Sequence, residues 1–424
     1  MKSSKYNIYL NYKDNYYVFN QLSTDLREVD KELFDALNNN QIAVNELDDD
    51  TISDLKEGQL ICDDECVEEN LILCANKQYR FSNRTARVTV MPTLECNFRC
   101  WYCYESHCDG HMSEKDVEAV IAFCKDLIDS RGLRRFVLDW FGGEPLLYFN
   151  EVVYPVSLAL KDYCKEKGIS FSNTITTNGY LINDDMIDRL IEIELNSYQI
   201  TLDGARDHHD KTRFLKGGTG SFDRIVDNIT MLCRHIDEIG MSVRINYTPK
   251  NLSTIDAIAD AFPEDVRSRI FIEPQLVWQY KEDINVITDE IAEKMMAFHN
   301  AGYHTRGTSL PSSCSWCYAE NMNQYVVNFD MKVYKCTARD FKKTTCSIGD
   351  ISPDGIFIPT SNYYRYYTSS YFENEKCLAC PLLPSCTGMC IQKKIEGNIP
   401  VCSKENVEKS VINCLKAYID SVII

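Results

Sequence analysis

Three cysteines on one short segment, Cys96, Cys100 and Cys103 in the spacing Cys-x3-Cys-x2-Cys, constrain this chain more than any other feature. Three thiolates this close together can bind one inorganic cluster from a single loop. A [4Fe-4S] cluster bound by only three cysteines leaves one iron open to a small molecule. A structural zinc site would recruit a fourth Cys or His, and the nearby choices are His107 and Cys108. The ligand count therefore favours an open, catalytic cluster over zinc.

An aromatic residue, Tyr102, stands directly before the last of these cysteines. The spacing together with this aromatic residue resembles the signature of the radical S-adenosylmethionine (radical SAM) enzymes. The resemblance implies that the amino and carboxylate groups of S-adenosylmethionine chelate the open iron. It also implies that an electron from the cluster cleaves the sulfonium to a 5′-deoxyadenosyl radical, so that the cofactor carries the difficult chemistry.

The composition is that of a chain that folds without disulfides in a reducing compartment. Its 424 residues and hydrophobic fraction of 44% can fill more than one core. The 20 cysteines, some in Cys-x2-Cys clusters and without an export signal, indicate metal ligation. No apolar run of about eighteen residues occurs, and the net charge of −18 disfavours nucleic acid as a partner. We therefore expect a cytoplasmic protein that binds neither nucleic acid nor membrane.

The order of apolar segments predicts an α/β protein with three consecutive domains. The pattern of residues 1–83 predicts a small N-terminal α+β domain that begins with an aromatic-rich hairpin around residues 13–15. Residues 84–300 predict alternating strands and amphipathic helices, and the resemblance implies a partial six-stranded (β/α) barrel. Residues 301–424 predict a small, cysteine-rich domain organised by metal. The predicted barrel strands are Val88–Val90, Arg135–Trp140, Phe171–Thr177, Ser197–Leu202, Ser242–Tyr247 and Ile270–Glu273.

A glycine-rich segment, Gly142-Gly143-Glu144-Pro145, comes directly after the second predicted strand. Sites in such folds lie at the carboxyl ends of strands, and the two glycines permit close backbone approach to a ligand. At this distance from the cysteines the segment resembles the GGEP element of the radical SAM enzymes. There, backbone carbonyls and the glutamate meet the amino group of the cofactor. A glycine-rich turn with a solvated glutamate is the alternative.

The other predicted cofactor contacts follow the third, fourth and fifth strands and are Thr177, Asn178, Asp203, Arg213 and Asn246. The stretch from Asp203 to Arg213 resembles the DGxxxxHDxxR stretch of the peptide-modifying branch. Arg213 is then the cation expected to bind the cofactor's carboxylate, since a guanidinium can bind it through two hydrogen bonds. His209 in the same stretch is expected to be a structural hydrogen-bonder rather than a proton shuttle. No residue is assigned as a protein acid or base.

Eight cysteines of the C-terminal region can ligate two more cubane clusters, and they are Cys314, Cys317, Cys336, Cys377, Cys380, Cys386, Cys390 and Cys402. The array resembles the SPASM domain, which implies one auxiliary cluster on Cys377, Cys380, Cys386 and Cys402. Cys390 would join Cys317 and Cys336 at the other, whose fourth position is Cys314, Cys346 or an open iron. Two structural zinc sites are the alternative. In the hairpin before Cys336, where the family usually has glycine, we expect Asp330 to take the left-handed conformation. The expected cofactors are S-adenosylmethionine and three [4Fe-4S] clusters.

The resemblance covers the chain from about residue 84 and implies an enzyme that modifies peptides or proteins. Residues 1–83 resemble the recognition element of maturases of ribosomally made peptides, where a leader segment adds as an extra strand to a sheet edge. The first hypothesis is a radical SAM peptide maturase that installs a crosslink or similar oxidative modification in a precursor peptide. An external one-electron reductant of the flavodoxin or ferredoxin type would serve it. The alternatives are an anaerobic, formylglycine-forming sulfatase maturase and a non-catalytic, zinc-rich binding scaffold.

Overall fold

The computed structural model describes the chain apart from residues 43–46, 278, 280–286, 306–308, 344, 387, 389, 398–401, 403 and 423–424. The chain divides into two compact units. The terminal unit comprises Met1–Phe81, Gly307–Asn321 and Thr368–Ile424. The barrel unit comprises Ser82–Arg306 and Met322–Tyr367. This division differs from three consecutive domains, because the C-terminal region is shared between both units.

The N-terminal part of the terminal unit contains two small sheets and three helices. Its elements are β1 (Lys2–Ser3), β2 (Asn7–Tyr12), β3 (Asn15–Asn20), β4 (Asp25–Val29), α1 (Lys31–Asn38), α2 (Asp49–Glu57), β5 (Ile61–Cys62) and α3 (Glu68–Phe81). Strands β2, β3 and β4 form an antiparallel sheet in that order. The predicted hairpin is confirmed, and Lys13 and Asp14 form its turn with φ values of 52° and 64°. Helix α1 begins after Asp30, whose side chain accepts a hydrogen bond from the N–H of Leu33.

The barrel unit begins with a run of parallel strands joined by helices. Its elements up to residue 305 are β6 (Thr85–Met91), α4 (Glu114–Arg131), β7 (Arg135–Trp140), α5 (Tyr154–Lys167), β8 (Ser170–Thr177), α6 (Asp184–Glu192), β9 (Leu195–Leu202), α7 (Arg206–Thr212), α8 (Phe222–His235), β10 (Gly240–Tyr247), α9 (Glu264–Arg267), β11 (Ile270–Leu276), α10 (Ile287–Asn300) and β12 (His304–Thr305). The six predicted strands are confirmed as β6 to β11, and they lie side by side in chain order. Because parallel strands share one direction, their carboxyl ends lie along one edge of the sheet.

The same sheet continues beyond β6 with strands from the C-terminal region. They are β13 (Gln324–Asn328), β14 (Lys332–Tyr334), β15 (Gly349–Ile351) and β16 (Phe357–Pro359), followed by α11 (Ser361–Thr368). In the described residues the sheet has 11 strands, which is why the predicted boundary near residue 300 falls inside the barrel unit. In the β13–β14 hairpin the left-handed residue is Met331, with φ 63°, so the expectation for Asp330 is wrong. Asp330 instead accepts hydrogen bonds from Asn328 and from the N–H of Lys332.

The C-terminal part of the terminal unit contains α12 (Glu375–Leu378), α13 (Ile391–Ile395) and α14 (Lys404–Val422). Shorter 3-10 or π turns in the chain are Pro145–Tyr148, Phe149–Val153, Leu252–Ile258, Tyr318–Glu320 and Tyr371–Glu373. One face of the β2–β4 sheet buries its apolar side chains against α14, through Leu10, Tyr17, Phe19, Val411, Leu415 and Ile419. The two ends of the chain therefore share one core. No helix in the described part of the chain is both long and apolar enough to cross a membrane.

Candidate functional site

The three motif cysteines lie on a long loop, residues 92–112, which connects β6 to α4 and is here called the cluster loop. The loop is closed at its base, where the N–H of Met112 donates to the carbonyl of Pro92 at 2.9 Å. Helix α4 then begins at a capping box in which Ser113 and Asp116 satisfy each other's backbone N–H groups. These contacts fix the loop at the carboxyl edge of the sheet.

The thiols of Cys96, Cys100 and Cys103 line one cavity of about 210 Å³. Burial, followed by the carboxylate of Glu144, raises the pKa of the Cys96 thiol to about 12, and burial raises the pKa of Cys103 to about 11. Such thiols must lose their protons to bind metal. No group of three or more Cys, His, Asp or Glu side chains in the described ranges is arranged to hold a single metal ion. A [4Fe-4S] cluster takes one thiolate per iron, and thiols spread around a shared cavity suit that requirement.

The two glycines after β7 pack directly against the cluster loop. A Cβ atom on Gly142 would lie 2.5 Å from the carbonyl oxygen of Thr93, and Gly142 has φ of +114°. A Cβ atom on Gly143 would lie 2.1 Å from the carbonyl oxygen of Glu95. Backbone hydrogen bonds from Gly143 to Thr93 and from Glu144 to Glu95 hold this contact at 3.1 and 2.8 Å. The glycines line the cavity, as expected, but they are also required for the approach of one loop to the other.

The carboxylate of Glu144 is buried and accepts hydrogen bonds from one hydroxyl and two backbone N–H groups. Its oxygens accept hydrogen bonds from the hydroxyl of Thr177 at 2.6 Å, from the N–H of Asn178 at 2.8 Å and from the N–H of Leu146 at 3.0 Å. Burial raises the pKa of Glu144, and these hydrogen bonds act against the rise. The solvated-glutamate alternative is therefore wrong. Glu144 fixes the end of β8 relative to the glycine pair.

The end of β8 contributes two side chains to the cavity, Thr177 and Asn178. The amide nitrogen of Asn178 donates to Asn97 of the cluster loop at 2.7 Å and lies 3.9 Å from the sulfur of Cys96. An amide donor beside a cluster sulfur stabilises negative charge on it. The strand end and the cluster loop are thus joined at the cysteine itself.

A phenol, Tyr102, connects three of the predicted cofactor residues. Its hydroxyl donates to Oδ2 of Asp203 at 2.7 Å and accepts from Nη1 of Arg213 at 2.7 Å. It also accepts from Nδ2 of Asn246 at 3.2 Å. The structure therefore brings together the cluster loop, the residue after β9, the end of α7 and β10. The sequence marks Tyr102 only as an aromatic residue, and nothing in the spacing indicates what its hydroxyl contacts.

Arg213 places a buried cation beside the thiols. The residue is 7% exposed and lines the same cavity. Its Nε has no hydrogen-bond partner among the described residues, and neither has Oδ1 of Asp203. Burial by itself would lower the pKa of Arg213, but the nearby Cys100, Tyr102 and Asp203 raise it well above its usual range. The guanidinium is therefore charged and keeps donors available for an anion.

His209 has the structural contacts expected of it. Its Nδ1 accepts from the N–H of Asp203 at 3.2 Å, so Nε2 carries the proton that reaches Ser221 at 3.0 Å. The hydroxyl of Ser221 in turn donates to the carbonyl of Arg213 at 2.6 Å. Burial lowers the pKa of His209 well below its usual range, which keeps the ring neutral. This chain of hydrogen bonds ties the backbone of Asp203 to that of Arg213.

The cavity lining also includes residues that no motif singled out, among them Glu105, Gln199, Arg244 and Gln275. Gln199 precedes Thr201 by two positions on β9, and Arg244 precedes Asn246 by two on β10. Alternate residues of a strand share a face, so the two-residue period of β9 and β10 could have predicted that Gln199 and Arg244 also line the cavity. Burial raises the pKa of Glu105 to about 8, and no spacing marks this residue.

Four cysteines of the C-terminal array belong to the terminal unit and influence one another electrostatically. Burial, followed by neighbouring thiolates, raises the pKa of both Cys377 and Cys386. The neighbours of each include Cys380 and Cys402. The assignment of these four residues to one auxiliary cluster stays a prediction.

The second predicted auxiliary group is divided between the units. Cys317 and Cys390 both interact electrostatically with Tyr371 in the terminal unit. Cys314, in the same unit, has φ of 52° and donates its N–H to the carbonyl of Pro384 at 2.8 Å. Cys336 and Cys346 belong to the barrel unit, where Cys336 is buried just after β14. The ligand set of this cluster stays a prediction.

Residues 90–262 match the family model described as the Radical SAM superfamily. Among curated relatives, the Fe-coproporphyrin III synthase of Methanosarcina barkeri is 26% identical over 299 residues, which cover 65% of this chain and 68% of the relative. The cysteine-type anaerobic sulfatase-maturating enzyme of Clostridium novyi is 26% identical over 350 residues, which cover 74% of this chain and 89% of the relative.

Two solved structures resemble this one. The structure of anSMEcpe with bound AdoMet has a TM-score of 0.61 at 16% identity and covers 80% of this chain and 94% of its own. Streptococcus suis SuiB bound to the precursor peptide SuiA has a TM-score of 0.53 at 16% identity and covers 93% of this chain and 97% of its own. At these identities the likeness shows the fold, an α/β architecture around a large parallel sheet.

Proposed function

We propose that this chain, whose residues 90–262 match the Radical SAM superfamily model, is a peptide maturase that uses S-adenosylmethionine. The observation that carries the proposal is the cavity at the carboxyl edge of the sheet. Its described lining includes three cysteines, Cys96, Cys100 and Cys103, and a buried guanidinium, Arg213. Three thiols with one nearby cation suit a cluster that holds a zwitterionic amino acid at its open iron.

The residues of the cavity bind and orient, and the chemistry comes from the cofactor. When bound, the [4Fe-4S] cluster and S-adenosylmethionine supply a 5′-deoxyadenosyl radical that abstracts hydrogen. The three thiolates would hold the cluster. Arg213 would face the carboxylate of S-adenosylmethionine, and Thr177 at the end of β8 and Asn246 on β10 would offer polar contacts. Glu144 acts from behind the cavity wall by holding Asn178 in place.

The proposed substrate is a precursor peptide, and the terminal unit supplies the support for it. Within the described ranges, β4 pairs with β3 alone. The free edge of such a strand presents N–H and C=O groups that an extended peptide can pair with. The fold likeness to SuiB covers more of this chain than the likeness to anSMEcpe. We propose that a leader segment adds to the edge of β4.

The proposed modification is a crosslink or a similar oxidation of the peptide. Closing one bond removes two hydrogens from the peptide: one leaves as a hydrogen atom to the nucleoside radical, and the other would leave as a proton to solvent and an electron to the proposed auxiliary clusters. We propose an external one-electron reductant of the flavodoxin or ferredoxin type to begin each turnover. Two auxiliary [4Fe-4S] clusters on the C-terminal cysteines complete the proposed cofactor set.

The first experiment tests the cluster. Anaerobically reconstituted protein, given dithionite and S-adenosylmethionine, should release 5′-deoxyadenosine, and the triple variant Cys96→Ala/Cys100→Ala/Cys103→Ala should release none. Cys74→Ala is the matched control, because this thiol is exposed on α3 and belongs to the terminal unit, whereas the motif belongs to the barrel unit. A colourless protein that binds zinc alone and leaves S-adenosylmethionine intact would overturn the proposal in favour of a binding scaffold.

The second experiment tests the peptide-binding edge. Deleting the N-terminal domain would expose the apolar residues of α14, so proline is instead placed singly at positions 26, 27 and 28 of β4. Successive N–H groups in a strand point to opposite sides. Proline at an outward position should abolish modification of a peptide encoded beside the gene and leave 5′-deoxyadenosine release intact. Unchanged peptide turnover in every folded variant would contradict the proposed edge.

A sulfatase maturase is the second candidate. It is favoured by the relative from Clostridium novyi, of which the match covers 89%. The two candidates differ in product, since a sulfatase maturase leaves a formylglycine aldehyde that reacts with a hydrazide probe. A sulfatase-derived peptide that gains hydrazide reactivity would select this candidate, and a peptide from a neighbouring short reading frame that loses hydrogen without reactivity would select the first.

A further inference from the structure

The hydroxyl of Tyr102 uses its full hydrogen-bonding capacity in the described structure. A phenol has one proton to donate and two lone pairs that accept. The proton goes to Oδ2 of Asp203, and the lone pairs receive Nη1 of Arg213 and Nδ2 of Asn246. The carbonyl of Tyr102 also accepts from Gln279 at 2.5 Å, which fixes the backbone of the same residue. Tyr102 is therefore held rigidly at both ends.

Arg213 depends on this hydroxyl. Among the described residues the oxygen of Tyr102 is the one hydrogen-bond acceptor of its guanidinium. No carboxylate in the described part of the chain forms an ion pair with it, and its Nε is buried without a partner. The ring of Phe98 lies 5.7 Å from the guanidinium carbon and covers one side. A buried cation in this state favours an anion that enters the cavity.

Asp203 is the anion that Arg213 would otherwise meet. Both groups lie 2.7 Å from the same phenolic oxygen, and Oδ1 of Asp203 has no partner among the described residues. Without the hydroxyl, the carboxylate and the guanidinium would form a direct buried ion pair. The guanidinium would then lose the position that faces the thiols.

Resting on the proposed function, we infer that Tyr102 is a positioning residue for S-adenosylmethionine: its hydroxyl separates Arg213 from Asp203 and aims the guanidinium at the carboxylate of the cofactor. In this role Tyr102 acts through Arg213, so loss of its hydroxyl should weaken most the ligands that carry this carboxylate.

Binding of two unreactive ligands tests the inference on the reconstituted, full-length protein. S-adenosylhomocysteine carries the carboxylate, and 5′-methylthioadenosine has a similar nucleoside without it. Tyr102→Phe should weaken binding of S-adenosylhomocysteine about tenfold and change binding of methylthioadenosine by less than about twofold, as measured by anaerobic calorimetry. Tyr163→Phe is the matched control, since it removes a hydroxyl that donates to the carboxylate of Asp129 at the protein surface.

A crossed variant gives a second measurement. In the Asp203→Asn background the competing carboxylate is gone, so Tyr102→Phe should weaken S-adenosylhomocysteine by less than about twofold. A full tenfold loss there, or equal losses for both ligands in the single variant, would overturn the inference. Iron content checks that each variant keeps its cluster. If the wild-type protein binds neither ligand, the proposed function fails; if it binds S-adenosylhomocysteine and Tyr102→Phe binds it equally well, only the inference fails.

Discussion

Gly143 lies against Glu95 so closely that a Cβ atom at position 143 would stand 2.1 Å from the carbonyl oxygen of Glu95. The atom it would meet belongs to the backbone of the cluster loop, which is itself closed at its base. A flexible side chain could move aside, but this carbonyl cannot without moving the loop that carries Cys96. Position 143 therefore requires glycine because two loops of the protein contact each other there.

Gly143→Ala should therefore displace the cluster loop, and we expect the variant to lose most of its motif-bound iron. The measurement is iron and sulfide content per chain after anaerobic reconstitution. Gly217→Ala is the matched control, because a Cβ there would meet nothing within 4 Å. Equal iron content in the two variants would show that the loop contact is unimportant.

Glu144→Gln should destabilise the barrel unit by about 1–3 kcal/mol, because a buried amide NH₂ would replace an acceptor that faces N–H and O–H donors. The donors left unsatisfied would be among those of Thr177, Asn178 and Leu146. Urea unfolding of the anaerobic protein measures the change. Glu151→Gln, an exposed carboxylate nearby in sequence, should behave as wild type. A stable Glu144→Gln variant would argue that the carboxylate is replaceable.

His209 should make the protein less stable in mild acid. Its pKa in the folded protein is lowered by burial from an ordinary value of 6.5, so only the unfolded chain takes up this proton as the pH falls through that value. Below it, this one group removes up to about 1.4 kcal/mol of stability per pH unit. His209→Asn should flatten the slope of unfolding free energy between about pH 7 and pH 5, and exposed His235→Asn should not. Parallel slopes for wild type and His209→Asn would exclude this residue as the cause.

Leu415→Ala should destabilise the terminal unit by about 2–5 kcal/mol, since it leaves a cavity where α14 packs on the hairpin. Leu415 is fully buried, whereas Val422 on the same helix is 64% exposed. Val422→Ala is therefore the control and should change the thermal midpoint little. The expected result also includes faster proteolysis of the N-terminal hairpin. Protection of the hairpin in Leu415→Ala would mean that it does not need α14.

The parts of the fold that follow from local pattern could be predicted from the sequence. The strand Arg135–Trp140 has the predicted bounds, because a short apolar run is flanked by turns and joined to amphipathic helices. The cluster loop and the glycine pair were likewise marked by spacing within a few residues. Each of these signals is contained in one stretch of chain.

The contacts that complete the site were not predictable in this way. The hydroxyl of Tyr102 meets residues 101, 111 and 144 positions away along the chain. Glu144 could be placed in a motif, but its burial depends on β8, more than thirty residues later. Side-chain networks between distant strand ends leave no periodic mark, because each partner is a common polar residue.

The core shared by the hairpin and α14 also has a consequence for how the protein is made. The hydroxyl of Tyr12 bonds to the carboxylate of Asp420 across 408 positions of sequence. A growing chain emerges from the ribosome with its first residues leading, so the proposed leader-binding sheet lacks one apolar cover until α14 has been made. The large sheet can therefore form before the surface proposed to capture a substrate is complete, and chains truncated before α14 would be left without that surface intact.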